Sequence, residues 1–310
     1  MITLRRLLPT EWDEVAELIY LSTNAWYERN LNHGIFTGPT SVARVFPEVY
    51  EAMDSGQCIV AVDGVSGRLA GSCFLHPRET HFSLGIMNVH PDFAGRGVAG
   101  RILDEILRLA DEAALPVRLV SSALNLDSFS LYTRAGFVPR AAFQDLMMLP
   151  GSGPIEPPPG TERIRPASIA DVKAIADLEL ELAHIRRERD YAHFIENAAG
   201  IWRLSVIDSA EDPGSISGYL ASVNHPGSHL LGPGVMRRDE DALALICSEL
   251  NHHQSIGSNP VFLVPVDRPK LVQELYRHGA RNCELHFCQV RGSFTPFSGV
   301  VMPTFMPETG

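Results

Sequence analysis

The 310-residue chain has five cysteines (Cys58, Cys73, Cys247, Cys283 and Cys288) and no C-x-x-C pair. That odd, scattered set excludes a disulfide scaffold and reads as reduced, mostly buried thiols of a cytoplasmic protein. No apolar run approaches the roughly 18 residues of a membrane span, and Met1-Ile2-Thr3-Leu4-Arg5-Arg6 does not open a signal peptide. No membrane association is expected. Positive charge is also short: 26 Lys and Arg against 37 Asp and Glu leave a net charge of −11. A general nucleic-acid surface is thereby excluded, while a cationic amine substrate suits the balance. Among twelve histidines none sits in a spacing such as H-x-x-x-H beside carboxylates, and the adjacent His252-His253 is no ligand pattern, so no metal is expected. With 45% hydrophobic and 20% charged residues, the chain reads as globular and longer than one typical domain.

What the sequence does have is concentrated between Leu84 and Leu107. An apolar strand (Leu84, Ile86, Met87, Val89) leads through His90-Pro91-Asp92 into Ala94-Gly95-Arg96-Gly97-Val98-Ala99-Gly100. A helix follows whose Ile102, Leu103, Ile106, Leu107 and Ala110 cover one face. A strand, a glycine loop and a helix start make an anion site. The first helical turn leaves backbone N–H groups without intrahelical acceptors, the macrodipole adds positive charge, and glycines let a phosphate approach. The loop lacks the Lys-Ser/Thr ending of a P-loop. Gly95-x-Gly97-x-x-Gly100 has the spacing of a dinucleotide fingerprint. However, Pro91-Asp92 separates strand from loop, and the next strand, Val117–Ser122, ends in no acidic residue for a ribose.

The segment Val89–Gly100 resembles motif A of the GNAT superfamily of acyl-CoA-dependent N-acyltransferases, Arg/Gln-x-x-Gly-x-Gly/Ala. Gly97 and Ala99 fill its last two fixed places, and Ala94 stands where Arg or Gln is usual. Asn125-x-x-Ser128-x-x-Leu131-Tyr132-x-x-x-Gly136-Phe137 resembles motif B of the same family, at the family's usual separation. The resemblance implies an α/β fold, an α+β mixed sheet, and an N-acetyltransferase. It would pass an acetyl group directly from acetyl-CoA, its co-substrate, to a primary amine of a small molecule or peptide. The implied cofactor-binding set is the backbone around Asn88 and Val89 for the pantetheine arm, then Ala94, Gly95, Arg96, Gly97, Val98, Ala99 and Gly100 for the pyrophosphate. Asn125 is implied near the pantetheine, and Tyr132 as the acid that protonates the departing sulfur. For the base, His81 shares a strand face with Ser83 and has a suitable ordinary pKa, and water is an equal candidate. A protein that binds acyl-CoA without transfer is the alternative reading. Nothing in the sequence specifies the amine or an oligomeric state.

Along the chain, Ile2–Arg5 reads as an edge strand, Thr10 to about Tyr27 as a helix with Trp12, Val15, Leu18 and Ile19 inside, and Ser41–Met53 as a second helix. Trp26, Tyr27, Asn30, Asn32 and His33 are candidates to line an acceptor pocket. Strands are expected at Gln57–Val62, Arg68–Leu75, His81–Val89 and Val117–Ser122, helices at Gly97–Ala113 and Asp127–Ala135, and paired strands within Phe137–Leu149. The Pro/Gly-rich segment Gly151–Gly160 reads as a semi-rigid linker.

Beyond it the chain repeats. Arg165-Pro-Ala-Ser-Ile-Ala-Asp-Val172 through Leu178 parallels Arg5 through Leu18, and Val261–Val264 with Leu275–Gly279 parallels Val117–Val120 with Leu131–Gly136. Two tandem GNAT-like domains are expected: residues 1–150 with the acetyl-CoA site, a linker at 151–160, and a degenerate copy at 161–310. In that copy the helix start carries Asp239, Glu240 and Asp241 in place of glycines. These acids would cap the helix, complement its dipole and repel a pyrophosphate.

Overall fold

The computed structural model describes residues 1–308. The chain forms two compact units: residues 1–77, 81–117 and 306–308 in the first, and 78–80 with 118–305 in the second. Among the described residues no helix is long and apolar enough to cross a membrane.

In the first unit, β1 (Ile2–Arg6), β2 (Ile59–Asp63), β3 (Leu69–Pro77) and β4 (Phe82–Val89) form an antiparallel ladder in that order. Three helices accompany it: α1 (Trp12–Leu31), α2 (Val45–Met53) and α3 (Val98–Glu112). The expected stripe of α3 is the buried one: Ile102, Leu103, Ile106 and Ala110 are at most 1% exposed. Gly71 on β3 brings that strand close to α3, where a Cβ would stand 2.8 Å from Val98 and 3.2 Å from Ile102. Helix α1 begins after a 3-10 turn at Pro9–Glu11 and outruns its expected end at Tyr27, because no glycine or proline interrupts the chain before Gly34. Asn32, in the left-handed conformation at φ 62°, ends it.

Along β3 and β4 the register runs Gly71↔Val89, Ser72↔Asn88 and Cys73↔Met87, then resumes at Leu75↔Leu84. Two steps on β3 face three on β4, so β4 carries a bulge around Gly85–Ile86. Such an extra residue leaves backbone groups outside the ladder and bends the strand.

The second unit contains β5 (Val117–Ser122, beginning at the division), α4 (Leu126–Arg134), β6 (Val138–Met148), β7 (Ile164–Pro166), α5 (Val172–Ala183), α6 (Glu188–Glu196), β8 (Trp202–Asp208), β9 (Ile216–His225), β10 (Ser228–Met236), α7 (Asp239–Ser255), β11 (Val261–Pro265), α8 (Pro269–Arg277), β12 (Ala280–Arg291) and β13 (Val300–Met302). Its strands lie in the order β5-β12-β6-β11-β10-β9-β8-β7, with β13 on β10. Its main core gathers Leu220, Leu231, Leu245, Ile246, Phe262 and Leu275 with their neighbours.

Two expectations change here. Phe137–Leu149 is one strand, β6, and not a pair. Nothing between Arg140 and Met148 has turn chemistry, and partners come from elsewhere: β12 on one edge (Phe143↔His286) and β11 on the other (Phe262↔Leu146). Because β12 lies between β5 and β6, strands from the two chain halves alternate, and the compact units divide at Val117/Arg118 instead of at 151–160. The Pro/Gly segment is also docked. Asn251 bonds both backbone groups of Ile155 at 2.8 Å, and Ile155 is 5% exposed.

The internal repeat survives as a matching device. Arg5 pairs bidentately with Glu11, which also accepts from Leu8 N–H at 3.0 Å. Arg165 pairs with Asp171 at 2.8 and 2.9 Å, which accepts from Ser168 N–H at 2.8 Å. In each half an arginine on the first strand fixes the acid that closes the next helical turn.

Candidate active site

The loop after β4 is shaped by backbone conformation. His90 Nδ1 accepts from Asp92 N–H at 3.1 Å and starts a 3-10 turn at Pro91–Phe93. Arg68 holds this turn from below, 3.2 Å from Asp92 and 3.0 Å from His90 Nε2. Phe93 is buried, with the Arg68 and Arg96 guanidiniums over its ring at 5.8 and 5.1 Å. Gly95 and Gly97 then take φ of +74° and +73°, conformations that ordinary L-residues resist. Gly97 is the N-cap of α3 and makes no side-chain cap; no acid stands in the first turn, and a Cβ on either glycine would meet nothing within 4 Å. The N–H groups of Val98, Ala99 and Gly100 are thus the orphan donors of a long helix opening on an exposed loop. Ala94, Gly95, Arg96 and Gly97 are exposed, Val98 is buried as an anchor, and Ala99 and Gly100 are half-buried.

On β4, Asn88 donates to Ser22 Oγ at 2.7 Å and Thr23 Oγ1 at 3.3 Å on α1, while its Oδ1 is buried with no hydrogen-bond partner among the described residues. Buried amide oxygens are nearly always bonded, so an orphan beside a strand end is a place for a ligand donor. Together with the glycine loop it fits the polar arm and pyrophosphate of CoA. His81 lies one residue before β4, 1% exposed, with Nε2 3.0 Å from Ser83 Oγ. The shared face expected for these two is present, deep in the unit. Sequence reading missed a further buried group in this unit: His76 Nδ1 donates to Asp54 at 2.7 Å, and Glu308 stands 3.7 Å from Nε2. Burial, with Glu308 alongside, pushes the Tyr50 hydroxyl pKa upward.

Of the acceptor candidates, Trp26 and Tyr27 are half-buried and in edge contact at 5.0 Å, and Asn30, Asn32 and His33 are exposed. The loop beyond them is tied down by Asn24, which bonds Ile35 and Phe36 backbone at 2.9–3.0 Å.

In the second unit, Asn125 is the N-cap of α4, accepting from Ser128 N–H at 3.1 Å. Tyr132 is 7% exposed, its ring 5.6 Å from that of Phe137. The start of α7 differs from that of α3. Asp241 is fully buried and accepts from Ser217 at 2.5 Å, Arg163 at 2.7 Å and Arg238 at 3.1 Å. Burial would raise its carboxyl, but these three donors outweigh it and hold the pKa below the usual range. The N-cap there is Arg238, which makes no side-chain cap. The acids therefore complement the dipole through ion pairs and not through the caps expected. An already paired carboxylate thus stands in the first turn of α7, where α3 has none.

Asp145, Glu284 and His286 also meet in this unit, with one donor atom of each within 4.8 Å of the others. His286 Nδ1 is 2.9 Å from Asp145, Nε2 is 4.0 Å from Glu284, and Ser122 Oγ donates to Glu284. These donor types are able to hold a divalent cation, a grouping that sequence spacing did not show because Asp145 joins only through pairing of β6 with β12. The one local signal was Glu284-x-His286, which a strand puts on a single face. The cysteines offer no rival nucleophile: burial pushes Cys247 and Cys288 up to about 12 and Cys283 to about 11. A cavity of about 410 Å³ between Leu149–Pro154 and the end of α7 is lined by no titratable side chain and offers no acid–base chemistry.

Residues 54–139 match the family model described as Acetyltransferase (GNAT) domain. The match is confined to this segment, which is similar to a GNAT acetyltransferase domain. It takes in β2 through α4 and hence the glycine loop, Asn125 and Tyr132. A Pyrococcus horikoshii protein described as an acetyltransferase has a TM-score of 0.73 at 14% identity, covering 99% of this chain and 95% of its own. A GCN5-related N-acetyltransferase from Sphaerobacter thermophilus gives 0.65 at 17%, covering 96% and 97%. A tandem GNAT protein from the clavulanic acid biosynthesis pathway gives 0.62 at 16%, covering 95% and 100%. At these identities the likeness is one of fold, and it spans the whole chain: the protein has the tandem GNAT fold. No curated protein sequence matches it.

Proposed function

We propose that the chain is an N-acetyltransferase that moves an acetyl group from acetyl-CoA directly to a primary amine of a small molecule or peptide. The observation that carries this is the acid-free helix start at Gly97, with open left-handed glycines, inside a matched GNAT domain. Ala94, Gly95, Arg96, Gly97, Val98, Ala99 and Gly100 would hold the pyrophosphate through backbone N–H groups, with Arg96 adding charge. Asn88 and Val89 would receive the pantetheine arm, and Asn125 would touch the cofactor near the pantetheine. When bound, the co-substrate supplies an activated acyl carbon. Tyr132 would give its hydroxyl proton to the departing sulfur. Residues 161–310 would bind no CoA, since Asp241 fills the corresponding helix start. The free thiols suit action in the cytoplasm.

The test is release of free thiol from acetyl-CoA across a panel of amines, beside calorimetric binding of acetyl-CoA. Amine-dependent release supports transfer. Tight binding without release by any amine would leave an acyl-CoA-binding protein, and no binding would sink both.

A further inference from the structure

We propose that Asp145, Glu284 and His286 form a divalent-cation site, filled best by zinc, that ties together neighbouring strands of the second unit. The site lies wholly within that unit and draws on no step of the acetyl transfer proposed above.

Three observations carry it. The first is where strand pairing puts the donors. Asp145 on β6 is the direct partner of Glu284 on β12, just after the bulge between Asn282 and Glu284. His286 follows two residues on, so all three share one face of the sheet. One donor atom of each lies within 4.8 Å of the others. Zinc bonds of about 2.1 Å set neighbouring ligand atoms roughly 3–3.5 Å apart, so small side-chain rotations close the set. His286 Nδ1 is already 2.9 Å from both carboxylate oxygens of Asp145.

The second observation is burial. The Asp145, His286 and Glu284 side chains are 4%, 7% and 9% exposed, which separates them from ordinary surface acids. Neighbours orient them. Ser122 Oγ on the adjacent β5 donates to Glu284, and the Phe305 ring packs 4.7 Å from the imidazole. Cys283 and Leu285, on either side of Glu284, are exposed and leave a way in from solvent.

The third is charge. Other buried acids of this unit are matched by arginine: Glu179 by Arg187, Asp190 by Arg78, Asp241 by Arg163 and Arg238, and Glu249 by Arg203. Asp145 has an imidazole in that role. Two carboxylates and a neutral imidazole leave two negative charges, which a dication cancels and a single ring proton only halves; buried charges are paired or coordinate metals. The donor set is two carboxylate oxygens and one imidazole nitrogen, because the nearby Cys283 thiol donates to the Asp145 backbone oxygen at 3.3 Å. Such a set suits zinc, with a fourth tetrahedral position for water, and the order of divalent affinities puts manganese below it.

The experiment takes the full chain, stripped with EDTA, and titrates it calorimetrically with zinc and separately with manganese. Wild type is compared with His286→Gln, Asp145→Asn and Glu284→Gln. One zinc should bind per chain, more tightly than manganese, and each variant should weaken it about 10-fold or more. With free zinc at about 100 times its Kd, the wild-type thermal midpoint should rise by about 5–10 °C, and the variants' midpoints should rise less. No zinc binding, or equal binding by wild type and all three variants as stray contacts at other histidines would give, overturns the site. Manganese bound more tightly than zinc overturns the choice of ion. If the variants do not fold, cobalt(II) in the wild type decides. Visible d–d bands that saturate at one equivalent, without a sulfur charge-transfer band, support the oxygen and nitrogen set. A sulfur band, or no d–d band at one equivalent, overturns it.

Discussion

Replacing Gly97 separates backbone shape from charge. Asn and Asp are nearly the same size, and both tolerate the left-handed conformation that Gly97 adopts at φ +73°. A side chain there meets no atom within 4 Å, so neither variant clashes. An acid at a helix start complements the dipole, so Gly97→Asp should fold at least as well as Gly97→Asn. Binding should run the other way. At about 5 Å from a phosphate, a carboxylate costs ~0.8 kcal/mol in a water-like dielectric and ~3.3 kcal/mol at an effective dielectric of 20. That is about 4-fold to a few hundred-fold in affinity per phosphate. The loop is exposed, which favours the lower end, and the pyrophosphate has two phosphates, so a 10- to 100-fold weakening relative to Gly97→Asn is expected. Calorimetric titration with acetyl-CoA at about 50 mM salt measures it. Near 1 M salt, where the Debye length is about 3 Å, the gap should narrow. Equal affinities of the two folded variants at low salt would refute an anion site at this helix start.

Three further outcomes are expected. Acetyl-CoA should bind with a stoichiometry of one per chain, because Asp241 is already triply bonded at the second helix start; calorimetry that fits two equivalent sites contradicts this. Tyr132→Phe keeps the ring beside Phe137 and removes the proton donor, so kcat should fall about 10²–10⁴-fold with acetyl-CoA affinity little changed; a wild-type kcat removes Tyr132 from the mechanism. The Arg165 hydrogen bonds hold Asp171 down at about 2 against an ordinary 3.8, so the pair stabilises the fold above pH 4 and that contribution fades as pH drops from 4 through 2. Solvent screening limits it to about 1 kcal/mol, and thermal melts of Asp171→Asn and wild type should converge over that pH range.

Local chemistry was legible in the sequence and pairing was not. The strand, glycine loop and helix of 84–107 are one contiguous piece, and the periodicity that placed Ile102, Leu103, Ile106 and Ala110 inside is a property of that helix alone. The Arg5–Glu11 and Arg165–Asp171 repeats were visible for the same reason, each spanning six residues. By contrast, β6 looked like two strands because its partners are remote: β12 begins at Ala280 and β11 at Val261. The same remoteness hid the Asp145–His286 pair, whose members are separated by 141 positions and meet only through the β6–β12 register. His81 was expected to share a face with Ser83 and does, although it lies one residue before β4. Its burial depends on what packs over it, which one strand cannot reveal.

The alternation of strands bears on what holds the second half of the chain in place. Removing β12 from the second unit would leave β5 and β6 with facing, unpaired backbone edges, a state that folded proteins avoid because it invites non-native pairing. The register of β12 on β6 extends from Ala280↔Met148 to Val290↔Val138, so this one strand covers nearly the full length of its neighbour. The second half is therefore held by a structural demand that is independent of any ligand. In its first helical turn Asp241 meets the positive pole of α7 from within the chain and accepts from Ser217, Arg163 and Arg238. The two halves thus settle one electrostatic problem in opposite ways. At α7 the anion is built into the chain, and the first turn of α3 carries none.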